Sequence, residues 1–168
     1  VLFRSYLNGG TVECCSSSGS ISGQNDIGGL VGYCYDGTIK NCYSTTNVTN
    51  SSTNQADGCG GLVGEQYGYY KASSVTSCYA TGKVVKTGTS GLGGIVGYRH
   101  TGYNGTAPIV ASYYNLSTTK MGDEGRGFAV TTAAMKKQNT FLGWDFENIW
   151  GMDASINSGY PYPLNILF

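Results

Sequence analysis

The chain has 168 residues, and its ten basic side chains balance its ten acidic ones. This length allows one domain with one sizeable core, while the neutrality argues against binding to nucleic acid or to an anionic membrane. Charged residues make up only 12% of the chain and 27 residues are glycine, so Ser, Thr, Asn and Tyr must supply most of the polar surface. No apolar run approaches the ~18 residues of a membrane span, and no membrane insertion is expected.

A motif of glycine and aliphatic residues occurs three times, beginning at Gly28, Gly60 and Gly93. The starts are about 33 residues apart. Counting back from Gly28 reaches Val1, where a degenerate fourth copy of the repeat begins. Periods of this size are typical of solenoids, propellers and repeat arrays. The chain opens abruptly in apolar sequence, which is expected for a piece of a longer protein.

Each copy offers three short apolar runs, which in the second copy are 30–33, 38–43 and 47–49. Gly, Asn and Asp residues separate these runs and favour turns, and helical periodicity is absent through residue 115. The sequence therefore predicts an all-β fold over residues 1–115. It is a parallel β-helix, or β-solenoid, of about four coils with three short strands each, right-handed by the crossover rule.

The side-chain alternation within one copy contains a conflict. Alternation counted from Ile39 points Tyr43 into the solenoid, whereas alternation counted back from Val48 points Cys42 inward instead. Both phases cannot hold along one straight strand. A corner or bulge is therefore predicted between Ile39 and Cys42.

Three of the six cysteines share one repeat position: Cys15, Cys42 and Cys78. We expect them to stack as a structural ladder of small buried side chains, unbridged, because side chains of parallel strands in register point the same way. Disulfides remain an alternative. Zinc is disfavoured because the chain has no Cys-x-x-Cys pair and its one histidine, His100, is distant in sequence.

The repeat also explains many of the fourteen tyrosines. Aligning Val110 with Val75 predicts one stack of Tyr43, Tyr79 and Tyr114. A second predicted stack contains Tyr6, Tyr33 and Tyr98. Tyrosines outside these stacks, in longer turns, are the better candidates for contact with a ligand: Tyr67, Tyr69, Tyr70 and Tyr103.

The repeat pattern ends at about residue 116, and a segment of different composition follows. The stretch TTAAMKKQNTF predicts a short helix that is capped by Thr131 or Thr132. A run of aromatic residues follows, and stacked coils need a cap at an exposed end. Residues 116–168 are therefore expected to form a C-terminal cap over the end of the coil stack, with these aromatic residues at its centre: Trp144, Phe146, Trp150 and Tyr160.

The motif Gly-Gly-Leu-Val-Gly from Gly28, followed by Gly-Thr-Ile-x-Asn-Cys-Tyr from Gly37, resembles the GLUG-motif repeat of bacterial surface proteins. Such repeats also occur in immunoglobulin A1 proteases and in proteins described as adhesins. The tail TFLGWDFENIWGMD is similar to segments that often follow these repeats. The protease members carry their chemistry on a separate zinc domain with a His-Glu-x-x-His motif, which this chain lacks, so the resemblance implies a non-catalytic repeat region with a cap.

No catalytic residues, cofactor or metal are predicted. Only two pairs of acidic residues are close in sequence, Asp123 with Glu124 and Asp145 with Glu147, and we expect them in a turn and in the cap. A single histidine gives no credible Ser-His-acid arrangement. The glycine-rich segments lack the Lys-Ser/Thr step and the following helix of a phosphate-binding loop.

The sequence therefore favours a non-enzymatic adhesive or structural module on a bacterial cell surface. It would display or space neighbouring domains and bind a host protein or glycan. One alternative is a carbohydrate-active β-helix enzyme or a carbohydrate-binding module, and the enzyme needs a groove with two or more carboxylates on one face. Another is a filament subunit that stacks end to end. We expect residues 1–12 to contact upstream repeats or a neighbouring subunit, with residues 166–168 as one candidate partner.

Overall fold

The computed structural model describes residues 5–119 and 126–165, and it shows a chain wound into stacked coils of short parallel strands. The predicted all-β parallel β-helix is confirmed. The first coil contains β1 (Tyr6–Asn8), β2 (Thr11–Glu13), β3 (Ser16–Ser17) and β4 (Ser20–Gly23). The second contains β5 (Ile27–Gly28), β6 (Val31–Tyr35), β7 (Thr38–Lys40), β8 (Tyr43–Ser44) and β9 (Asn47–Asn50).

Two more coils follow the same path. The third contains β10 (Cys59–Gly60), β11 (Val63–Gly68), β12 (Ser74–Thr76), β13 (Tyr79–Ala80) and β14 (Val84–Lys86). The fourth contains β15 (Leu92–Gly93), β16 (Val96–Thr101), β17 (Ile109–Val110) and β18 (Tyr113–Asn115). The helix α1 (Leu116–Thr119) then leads towards the tail, which contains β19 (Phe128–Val130), β20 (Trp150–Gly151) and β21 (Tyr162–Pro163).

Equivalent strands of successive coils pair in five parallel sheets. A complete coil therefore has five short strands rather than the predicted three, because tight corners divide the apolar runs. We call the sheet of β1, β6, β11 and β16 the first sheet. We call the sheet of β3, β8, β13, β18 and β19 the ladder sheet.

The predicted corner between Ile39 and Cys42 is observed, and it recurs in every coil. One residue at each corner has a positive φ between 43° and 55°. This left-handed turn resets the alternation, so that both Ile39 and Cys42 are completely buried in one core cluster. The residues that form the corners are Cys14, Asn41, Ser77 and Ala111.

The fourth coil departs from the predicted register by one residue. Tyr113, and not Tyr114, pairs with Tyr79, whereas Tyr114 lies inside the core with 1% of its surface exposed. The predicted position of Tyr114 in the stack was wrong because Val110 was taken for the inward residue. Val110 is 50% exposed, and the left-handed corner at Ala111 follows it directly.

The glycine motif allows close contact between coils. A Cβ atom at Gly61 would overlap the carbonyl oxygen of Gly94 in the next coil, and one at Gly94 would overlap the ring of Tyr114. Both glycines are buried. The motif is thus rich in glycine because these backbone segments leave no space for a side chain.

The aromatic tail packs beside the ladder sheet as well as beyond its end. β19 pairs with β18 and adds one strand to that sheet. Trp144 and Trp150 instead join a separate apolar cluster with the rings of Tyr43, Tyr79 and Tyr113. These tyrosines point away from the solenoid core because they follow inward-facing residues such as Cys42. The tryptophans were predicted over the coil end, and the structure corrects their position to the side of the stack.

Polar contacts join the tail to the ladder sheet. The Tyr79 hydroxyl donates to the carbonyl of Pro161 at 2.7 Å and accepts from the amide of Asn157 at 2.7 Å. The indole of Trp144 donates to the carbonyl of Ala111 at 2.8 Å. The ring of Tyr160 stacks on that of Tyr79, with centroids 6.2 Å apart, and half-buried Phe146 packs against the same cluster.

The short helix predicted in the tail is a pair of 3-10 turns, Ala134–Lys136 and Gln138–Thr140. The Thr131 hydroxyl accepts from the backbone of Ala134 at 3.2 Å. The extended backbone of Lys137, with φ −129° and ψ 124°, separates the two turns and prevents a continuous helix. Across residues 5–119 and 126–165, we find no helix long and apolar enough to cross a membrane.

Candidate functional site

The outer side of the first sheet carries a continuous aromatic surface. Its strands place two columns of residues outward in the second and third coils, because the residues between these columns, Cys34 and Gln66, are completely buried. One outward column pairs Tyr6 with Tyr33, Tyr33 with Glu65 and Glu65 with Tyr98. We name the whole surface the tyrosine face, and its rings are Tyr6, Tyr33, Tyr35, Tyr67, Tyr69, Tyr70, Tyr98, His100 and Tyr103.

The four tyrosines predicted to contact a ligand lie together on this face. Tyr69 meets Tyr70 edge to face at 4.5 Å between ring centroids, and Tyr67 lies 5.5 Å from Tyr69. Tyr70 and Tyr103 are 6.3 Å apart, with exposed fractions of 64% and 78%. Tyr67 was wrongly predicted in a turn, because it lies in β11 opposite Tyr35. The turns that carry the other three tyrosines extend the aromatic columns of the first sheet.

Asp36 fixes the turn that carries Tyr69 and Tyr70. Its carboxylate accepts hydrogen bonds from the backbone N–H groups of Tyr69 at 2.6 Å, Tyr70 at 3.1 Å and Lys71 at 3.3 Å. Desolvation opposes the charge, but these amides lower the pKa of Asp36 below its usual value. A single carboxylate therefore holds the exposed rings in position.

The predicted stack of Tyr6, Tyr33 and Tyr98 is interrupted. Tyr6 and Tyr33 stack at 5.2 Å with planes 16° apart, but Glu65 occupies the next position of the column. Tyr98 follows Glu65 and lies 5.3 Å from His100. A carboxyl group therefore stands in a column of aromatic rings.

Glu65 is the polar centre of the face. Only 8% of its surface is exposed, and its Oε1 lies 2.6 Å from Nε2 of His100. Its carboxyl also interacts with the side chains of Asp26 and Tyr33. Burial, together with the neighbouring Asp26 carboxylate, raises the pKa of Glu65 from its ordinary value of 4.5 to about 8.

These environments assign the protons of the cluster at neutral pH. Glu65 keeps its proton and donates it to Asp26, because two adjacent carboxylates cannot both be ionised cheaply. Burial lowers the pKa of His100, so the neutral imidazole donates its Nε2–H to Glu65. The contact between Glu65 and His100 is then a hydrogen bond between neutral groups rather than an ion pair.

This cluster corrects the prediction that acidic residues approach one another only in the two sequence-local pairs. Asp26 and Glu65 are far apart in sequence and meet because successive coils stack. Asp145 instead accepts hydrogen bonds from Glu147 and Asn148 in an exposed turn of the tail, and Asp123 and Glu124 lie outside the described residues. The sequence signal that could have revealed this cluster was Glu65, because it places a carboxyl group at a repeat position that holds tyrosine in the other coils.

A groove of about 390 Å³ opens beside the cluster at the first and second coils. Asp26 lines the groove and also contacts buried Glu65 behind it. The Oδ1 atom of Asp26 accepts from the backbone N–H of Gly58 at 2.7 Å. The other groups that line the groove include Ser5, Tyr6, Asn25, Tyr33 and Asp57.

The cysteine ladder lies elsewhere, in the ladder sheet. Cys15, Cys42 and Cys78 occupy one register position, and all six cysteines are free thiols. Cys42 and Cys78 are fully buried, whereas Cys15 in the first coil is exposed. In the described parts of the chain, no group of three His, Cys, Asp or Glu residues could hold a metal ion.

Comparison with known proteins agrees with the repeat geometry. The model of the GLUG motif matches residues 23–49 and 58–85, which are the turns of chain that form the second and third coils. The second and third coils are therefore GLUG-motif repeats. The matched segments begin just before β5 and β10, so the family repeat corresponds to one coil of the solenoid.

Two larger bacterial proteins are similar to this chain. It is 30% identical over 127 residues to a protein of Evansella cellulosilytica provisionally described as a Gly-rich membrane protein, and it spans 14% of that protein's length. A crystal structure from Bacteroides ovatus, provisionally described as an immunoglobulin A1 protease, superposes with a TM-score of 0.68 at 22% identity. That match covers 95% of this chain and 62% of the other, and it shows the fold alone.

Proposed function

We propose that this chain is a non-enzymatic repeat module of the bacterial cell surface that binds a glycan through its tyrosine face and spaces neighbouring domains. The observation that carries the proposal is the cluster of nine aromatic rings on the outer side of one sheet. Contiguous exposed aromatic surface marks interaction sites, and Tyr6, Tyr70 and Tyr103 are each at least 60% exposed. The GLUG repeats and the description of the Evansella relative support the surface location.

The chemistry of the face suits a carbohydrate. Aromatic rings offer flat apolar surfaces with a negative quadrupole, against which the C–H groups of a sugar ring pack. Hydroxyl groups of the tyrosines and the polar atoms of Glu65 and His100 can hydrogen-bond to sugar hydroxyls.

The carboxylates favour binding over hydrolysis. Asp26 and Glu65 meet the condition of two carboxyl groups on one face, which supports a carbohydrate-active enzyme as the second candidate. Glycoside hydrolysis, however, needs carboxyl groups about 5–9.5 Å apart on either side of the scissile bond. Asp26 and Glu65 instead interact directly with each other, and Glu65 is only 8% exposed, so the two groups are not placed on either side of a bound sugar.

The proposal that the chain spaces neighbouring domains rests on the incomplete core and unpaired strands of the first coil. Leu7, Val12 and Ile21 are only partly buried, whereas Cys34, Ile39 and Val48, their counterparts in the second coil, are almost inaccessible to solvent. The strands of this coil also have one unpaired edge each among the described residues. Another solenoid coil, from upstream repeats of a parent chain or from a neighbouring subunit, would complete both the core and the hydrogen bonds.

The glycan proposal is tested by affinity electrophoresis through gels that contain soluble bacterial, plant and animal polysaccharides. The variant Tyr70→Ala/Tyr103→Ala removes the two most exposed rings of the turns, and Leu142→Ala/Leu164→Ala removes two exposed apolar side chains outside the face. We expect retardation of the wild type and of the leucine variant by at least one polysaccharide, with loss in the tyrosine variant. If no polysaccharide retards the wild type, or if the tyrosine variant is retarded equally, the proposal fails.

A further inference from the structure

The groove beside the tyrosine face combines aromatic rings with carboxylates. The rings of Tyr6 and Tyr33 stack along it, and Asp26 and Asp57 contribute acidic side chains. Its volume of about 390 Å³ lies within the range of small-ligand sites. It is continuous with the tyrosine face, because Tyr6 and Tyr33 belong to both.

The charges around the groove leave Asp26 without a directly paired cation. Within residues 5–119 and 126–165, no Lys or Arg side chain forms an ion pair with Asp26. The nearby ammonium group of Lys86 is instead 2.5–2.8 Å from the backbone carbonyls of Asn54, Asp57 and Ser90. The partners of Asp26 are the Gly58 amide and the protonated Glu65, and both are neutral donors.

Asp57 and the remaining titratable groups do not neutralise this charge. Asp57 accepts hydrogen bonds from the side chains of Ser52 and Asn54, which are neutral. His100 is held neutral behind Glu65, as described above. The groove therefore presents negative charge beside two electron-rich rings.

A protonated amine satisfies both features. A carboxylate forms strong charge-assisted hydrogen bonds with an ammonium group, and the faces of tyrosine rings attract cations within about 6 Å. A metal ion would need several oxygen ligands in a closed geometry and would gain much less from the rings. An uncharged hydroxyl group would form a weaker hydrogen bond with the Asp26 carboxylate than an ammonium group does.

We infer that this groove binds the protonated amine of an amino sugar, a hexosamine without its N-acetyl group, within the glycan that lies on the tyrosine face. The inference rests on the proposed glycan binding and adds the class of sugar. Asp26 receives the ammonium group, and Tyr6 and Tyr33 pack against the sugar ring. Glu65 keeps Asp26 in place from behind through their hydrogen bond.

The test compares two oligosaccharides of equal length by isothermal titration calorimetry at about pH 6, where amines are protonated. One is a β-1,4-linked glucosamine oligomer, and the other is its fully N-acetylated counterpart. We expect the wild type to bind the amine form about tenfold more tightly, with the difference shrinking as salt is added. Equal affinity, or tighter binding of the acetylated form, overturns the inference.

Two matched variants assign the preference to the groove. Asp26→Asn retains the acceptor for the Gly58 amide but removes the charge, so we expect equal affinity for both oligomers at the level of the acetylated form. Glu13→Gln removes a carboxylate of the first coil that pairs with Lys40 of the second coil at 3.0 Å, and we expect it to keep the preference. A preference that persists in Asp26→Asn overturns the site, and thermal melting of each variant establishes that it is folded.

The outcome also separates this inference from the glycan proposal. If the wild type binds the acetylated oligomer or a neutral polysaccharide but shows no preference for the amine, the inference fails and glycan binding stands. If it binds neither oligomer nor any polysaccharide of the panel, both fail. Calcium chloride is titrated alone as a third probe, and calcium binding that is lost in Asp26→Asn would overturn the assignment of the groove to an amine.

Discussion

The imidazole of His100 lies on the ring of Tyr67, with centroids 3.8 Å apart and planes 15° from parallel. The same imidazole reaches Glu65 at 2.6 Å. His100 thus connects the aromatic part of the tyrosine face to its buried carboxyl cluster. This relationship links the stability of the face to the protonation of Glu65.

The first prediction concerns pH. The folded protein retains the Glu65 proton between the ordinary pKa of 4.5 and the folded pKa of about 8, while the unfolded chain loses it. The folded state therefore binds more protons in this window, and the free energy of unfolding contributed by Glu65 falls as pH rises. The raised pKa of Asp26, which also reflects burial, acts in the same direction.

Urea unfolding at a series of pH values measures this dependence. In Glu65→Gln, the amide keeps a donor for Asp26 and an acceptor for His100 but does not titrate, so we expect a flatter profile than in the wild type. Glu13→Gln, at a partly exposed ion pair, should retain the wild-type profile. Identical profiles for Glu65→Gln and wild type would show that Glu65 titrates normally.

The second prediction concerns the tail. Trp150 is completely buried and its ring lies 4.3 Å from that of Trp144, so Trp150→Ala should lower the free energy of unfolding by about 3–5 kcal/mol. Leu142 is 74% exposed in the same segment, and Leu142→Ala should change stability by less than about 0.5 kcal/mol. Chemical denaturation compares the two variants, and a Trp150→Ala protein as stable as the control would contradict the observed packing.

The third prediction concerns the thiols. Cys15 is exposed and Cys14 is partly exposed, whereas Cys34, Cys42, Cys59 and Cys78 are buried. Burial raises the pKa of Cys78 well above its usual value, which further lowers its reactivity. Iodoacetamide should label Cys14 and Cys15 in the native protein and the other four only in urea, as read by mass spectrometry of peptides. Rapid native labelling of Cys78 would show that the ladder is not enclosed.

The fourth prediction tests the close contact between coils. Gly61→Ala places a Cβ atom against a backbone carbonyl of the next coil, where neither group can move alone, and should destabilise the protein by more than about 2 kcal/mol. In Gly10→Ala the added Cβ would meet only the end of the Leu7 side chain, at 3.1 Å. Thermal melting should therefore show a large loss for Gly61→Ala and a small change for Gly10→Ala.

The repeat made most of the solenoid predictable. Glycine and cysteine spacing placed Gly28 opposite Gly60 and Cys42 opposite Cys78, and the conflict in alternation located the corner at Asn41. The one-residue error in the fourth coil arose because nothing in the residue type of Ala111 indicates a left-handed conformation. Local sequence signals thus determined the coil wherever the turn residue was recognisable.

The candidate site was only half predictable. Tyr69, Tyr70 and Tyr103 could be selected because they lie in turns that break the repeat, whereas Tyr67 follows the repeat in β11, opposite Tyr35. The pairing of Asp26 with Glu65 depends on which corner of one coil meets which strand of the next, and that distance in space has no counterpart in local sequence. The position of the tail beside the coil stack could not be predicted for the same reason. It depends on the ring of Tyr79 facing outward, which local sequence does not show.

The most direct test of the central claim is a crystal structure of the protein with a glucosamine oligomer bound. The account predicts sugar rings against the tyrosine face, in contact with Tyr70 or Tyr103, and an amine nitrogen within hydrogen-bond distance of Asp26. An oligomer seated on the aromatic residues of the tail, or on any face other than the first sheet, would contradict it.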